Sequence, residues 1–160
     1  MEKSKQLSVD GYTFEELHVT RNPVFVRDNM TLEPVVAVEF NTFTHETDNM
    51  RFAVSLCVKS QEPLTQDHPL RFSVRIIGFF RLEEPIVDRK LHGDRVVNGL
   101  TILYGIVRAH LSTATGWFDK TLLAPTIYFT DLVNAKIEAA RSREIENEQQ
   151  PIEARALTGG

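Results

Sequence analysis

The chain has 160 residues, 42% hydrophobic and 25% charged, with 18 Lys and Arg against 22 Asp and Glu for a net charge of −4. That is the length and balance of one globular domain with its own core, and the single cysteine, Cys57, excludes a disulfide framework and any multi-cysteine metal site. An acidic balance without a dense Lys/Arg run argues against a nucleic-acid binder, and no apolar run approaches the ~18 residues of a membrane span.

The opening MEKSKQLSVDGY lacks an apolar stretch and does not read as a secretory signal, so the expected location is cytoplasmic. Residues 1–11 are polar and without periodicity, which reads as a flexible lead. A weak strand over Phe14–Thr20 is expected at a sheet edge. Residues 35–43 place Val36, Val38 and Phe40 at period 2. Residues 50–59 set Phe52, Val54, Leu56 and Val58 against Arg51, Ser55 and Lys59, and residues 70–81 set Leu70, Phe72, Val74 and Ile76 against Arg71, Ser73 and Arg75. Such alternation marks antiparallel strands with one covered and one wetter face. The cluster from His45 to Asn49 reads as a tight turn, and Pro63 to Pro69 as a longer polar connection.

After Pro85 the period changes. Apolar residues at 96, 97, 100, 103, 104, 107 and 111 form a helical stripe, with Asp94 as the expected N-cap and Gly116 as the stop. A second helix is expected from Thr130, with Leu132, Val133 and Ile137 on one side, and Pro151 is expected to end any helix reaching that far. Strands first and helices second predict an α+β fold: a four-stranded antiparallel sheet followed by two helices packed on one side. The expected organisation is a single domain over residues 12–140 and a polar, flexible tail over 141–160.

Chemistry is sparse. His18, His45, His68, His92 and His110 lack metal-ligand spacing. Phosphate-cradling, dinucleotide and nucleophile-elbow motifs are absent. Cys57 alternates with core positions in mid-strand and reads as a structural thiol. Glu83-Glu84 sits in a connecting loop as a solvated pair. The expectation is therefore no enzyme, no metal and no cofactor. What stands out instead is apolar surplus: Trp117, Phe118, Leu122, Leu123, Ile127, Tyr128 and Phe129 crowd a loop-like segment. Such a loop either folds over its own core or leaves an apolar surface for another polypeptide.

The run Ile102-Leu103-Tyr104-Gly105-Ile106-Val107-Arg108, a glycine turn, and Leu122-Leu123-Ala124-Pro125-Thr126-Ile127-Tyr128-Phe129 through Leu132 resemble the SecB export-chaperone family. That family has a similar aromatic-rich helix carrying an arginine and a Leu-Ala-Pro-x-x-x-Phe-x-x-Leu run leading into its last helix. The lead Glu33-Pro34-Val35-Val36 also lines up, and the resemblance runs from about Tyr12 to Ile137. It departs at Gly105, Ile106 and Ala109, where the family has proline, tyrosine and an acidic residue. Arg21-Asn22 stands where export-dedicated members carry acidic contacts for the motor ATPase SecA. The C-terminal tail also lacks SecA-docking character. These departures weigh against SecA as a partner and leave chaperone action intact.

The resemblance implies a homotetramer, a dimer of dimers, whose outer grooves hold unfolded client polypeptides. Carried over by position, the groove falls on Val36, Val38, Phe40, Val133 and Ile137, with Trp117, Phe118, Leu122 and Leu123 as additional apolar contacts. The same residues also read as ordinary sheet and helix core. The implied activity is that of an ATP-independent holdase, for export or for a dedicated client. The alternative is a partner chaperone of a toxin–antitoxin or phage-related system with one specific client. The terminal Gly159-Gly160 reads as part of a solvated tail, since the element order is not that of a ubiquitin-like modifier.

Overall fold

A computed structural model describes residues 7–26, 34–85, 89–116 and 124–156. Four strands come first, β1 (Leu7–Arg21), β2 (Val36–Thr44), β3 (Arg51–Ser60) and β4 (Leu70–Leu82), followed by α1 (Arg89–Thr115) and α2 (Phe129–Ala156). The strands form one antiparallel sheet in the order β1-β4-β3-β2. This is the expected α+β class. The chain divides into two units, Met1–Ile127, which holds the sheet and α1, and Tyr128–Gly160, which holds α2.

Local chemistry sets the register of the β2–β3 hairpin. The Nδ1 of His45 accepts from the backbone N–H of Thr47 at 3.3 Å and of Asp48 at 3.1 Å. Asp48 Oδ1 accepts from Met50 N–H at 2.9 Å, and Asp48 also pairs with Arg51. The turn's backbone donors are thus met by its own side chains, as in Asx-type turns. The connection before β4 is tied down from outside. Asn22, buried, donates its side-chain amide to Thr65 O at 2.7 Å and to His68 O at 2.8 Å.

In β3 and β4 the even positions turn to one face and are buried: Phe52, Val54, Leu56 and Val58, and Leu70, Phe72, Val74, Ile76 and Phe80. Helix α1 covers that face, packing on β4, β3 and β1. It does so with Val96, Leu100, Leu103, Tyr104, Val107 and Leu111, all buried and spaced as one helical stripe. The closest crossing is at Gly78, where an added Cβ would lie 2.6 Å from Leu103 Cδ2 and 2.9 Å from Phe80 Cε2. Gly99 on the helix likewise sits over the Phe80 ring. The two glycines let helix and sheet approach.

Three sequence expectations need correction. Strand β1 starts at Leu7, so residues 7–11 pair with β4 instead of belonging to a flexible lead. Register shifts between Val9 and Gly11 and between Phe14 and Glu16 explain why the strand looked weak. Its apolar residues Val9, Tyr12, Phe14, Leu17 and Val19 are spaced 3-2-3-2, and each spacing of three spans a shift that returns the next apolar side chain to the same face. Helix α1 begins at Arg89, so Asp94 lies inside it and is not the cap; tertiary packing overrides a weak positional preference. Gly116 does mark its end, with Gly116 N–H bonded to Ser112 O at 3.2 Å. Helix α2 runs through Pro151 to Ala156, beyond the expected break. Proline removes one backbone donor, and the Glu, Gln, Ala and Arg residues around it are strong helix formers that carry the backbone on. No helix among the described residues is long and apolar enough to cross a membrane.

Candidate functional site

The sheet register settles which way the β2 residues face. Val38 lies opposite Val58, Phe40 opposite Leu56 and Val36 opposite Ser60. Directly opposed residues of an antiparallel pair share a face, so Val36, Val38 and Phe40 belong to the apolar face that α1 covers over the other strands. Val58 and Leu56 are fully buried there, at 0% exposure. The β2 trio is only half-buried. The apolar face therefore continues one strand past its cover, as a strip on the edge strand. Pro34, buried just before β2, anchors its start. On the opposite side of β2, Glu39 pairs with Lys59 at 3.3 Å.

The other expected groove residues stand on α2. Val133 and Ile137 are four positions apart and so lie one above the other on one face of that helix. Asp131 in its first turn complements the helix dipole. The additional apolar contacts Trp117, Phe118, Leu122 and Leu123 lie outside the described residues. On α1, Tyr104 donates its hydroxyl to Pro125 O, and Arg108 lies 6.0 Å from the centroid of the Tyr104 ring. That geometry matches a cation–π contact.

Polar side chains in the sheet-and-α1 unit serve the fold. Buried His68 turns Nδ1 to the backbone of Leu70, Ser60 Oγ accepts from Phe72 N–H at 3.0 Å, and Thr115 bonds back to Leu111 O. His92 is half-buried with its ring 6.2 Å from that of Phe52, and burial lowers its pKa below the ordinary 6.5. Cys57 is buried in mid-strand. Among the described residues, no three His, Cys, Asp or Glu side chains come together as metal ligands.

Sequence reasoning missed the exposed apolar residues on the other face of the sheet, Phe43 and Phe79. Both sit at odd positions, where alternation calls for polar side chains, and that break in the pattern is the signal that would have found them.

No family model matches the chain, and no curated protein matches it by sequence. Its fold has solved counterparts. One is the Mycobacterium tuberculosis Rv1957 SecB-like chaperone, in complex with a ChAD peptide from the Rv1956 HigA1 antitoxin. It aligns with a TM-score of 0.53 at 12% identity, over 76% of this chain and 88% of that one. Another is a protein of unknown function from Streptococcus agalactiae, with a TM-score of 0.55 at 14% identity, over 78% of this chain and 100% of that one. Strand order, the sheet followed by two helices, and the likeness to Rv1957 together give this chain a SecB-like fold.

Proposed function

We propose that the protein is a SecB-like chaperone, an ATP-independent holdase that captures non-native polypeptide on an apolar groove. The observation that carries the reading is the half-covered strip of Val36, Val38 and Phe40, continuous with a fully buried core. The chaperone identity of a fold neighbour supports it. Val133 and Ile137 of α2, and Trp117, Phe118, Leu122 and Leu123, are proposed as further client contacts. An extended client lays alternate apolar side chains on the strip, and a folded protein, which buries those side chains, does not compete.

Energetics decide how such a site must work. Fully burying one Val or Phe side chain gains about 1.5–3 kcal/mol, so covering the open part of three such residues, at most about a third of each, gains no more than roughly 1.5–3 kcal/mol. That alone corresponds to weaker than about millimolar binding. Useful affinity then needs several strips engaged by one chain, which a homotetramer, a dimer of dimers, supplies through effective concentration. The net charge of −4 favours basic client segments by steering. No step calls for catalysis, metal or cofactor. The setting is cytoplasmic, and the client is either export cargo or one dedicated polypeptide. The antitoxin peptide bound by Rv1957 favours the dedicated-client form.

The test is size-exclusion chromatography with light scattering, with and without a chemically unfolded substrate. The expected result is a mass of four chains that co-elutes with the unfolded substrate and not with its folded form. Ile137→Asp abolishes capture at unchanged oligomer mass. A monomer that ignores unfolded chains refutes the reading. Tight capture of one antitoxin-like chain and none of a generic unfolded panel selects the dedicated form.

A further inference from the structure

We draw no further inference here: the strongest candidate, the outer edge of β1 at the end of the sheet, where Val9, Tyr12 and Leu17 stand exposed, carries nothing beyond the assembly of copies already proposed, since nothing in the structure shows what covers it.

Discussion

Val38 and Val58 provide a matched pair for separating client binding from folding. They are directly opposed on β2 and β3 and face the same side of the sheet, yet Val58 is fully buried and Val38 half-buried. Truncating Val58 to alanine removes two buried methyl groups at about 0.8 kcal/mol each plus a cavity, for roughly 2–3 kcal/mol of stability. In a chain of this size that lowers Tm by roughly 5–10 °C. Val38→Ala loses the covered two thirds or more, at least about 1 kcal/mol of stability, while the open part, at most about 0.5 kcal/mol, is lost from client affinity. That is about twofold per strip, compounded where several strips hold one chain. Val38→Asp goes further, because a captured client would bury a carboxylate at a cost of 2 kcal/mol or more, about thirtyfold per strip. The assay is thermal denaturation for each variant alongside binding of a labelled unfolded protein. Unchanged client affinity in a folded Val38→Asp variant, or equal Tm losses for Val38→Ala and Val58→Ala, would refute the open-strip argument.

Three further outcomes follow from the packing. Gly78→Ala drives a methyl toward Leu103 and Phe80 and costs about 1–3 kcal/mol of stability, measured by denaturant titration. In a Leu103→Ala background the same change costs less, and additive losses would place the strain elsewhere. Asn22→Ala strips the amide donor from Thr65 O and His68 O and costs about 2 kcal/mol, with faster hydrogen exchange over residues 65–69; an unchanged exchange pattern contradicts the tie. His92, whose pKa is lowered by burial, binds its proton more readily in the unfolded chain. Stability should therefore be flat above the ordinary value of 6.5, fall as pH drops below it, and level off below the folded pKa. His92→Gln should flatten that slope, and an identical slope would assign the pH dependence to another group.

Strands β3 and β4 were legible because apolar residues recur at a period of two along most of each, and that face of each meets the core. The stripe of α1 was legible for the same reason at a period of 3.6, and its Gly116 stop with it. Strand β1 resisted because its two register shifts break the period while preserving the face, a correspondence visible only against the β4 ladder. The start of α1 and the passage of α2 through Pro151 were decided by the surrounding residues and not by a single cap or breaker. The candidate strip was half legible. Alternation identified Val36, Val38 and Phe40 as one apolar face and could go no further, since the same pattern is written by a buried strand and by an open one. Periodicity encodes the side to which a residue turns; what covers that side depends on where α1 crosses the sheet, and α1 packs over β4, β3 and β1. The sequence thus determined the elements and their apolar faces, and the tertiary structure decided which part of that face is core and which is left half-open, because coverage is a property of elements distant in the chain.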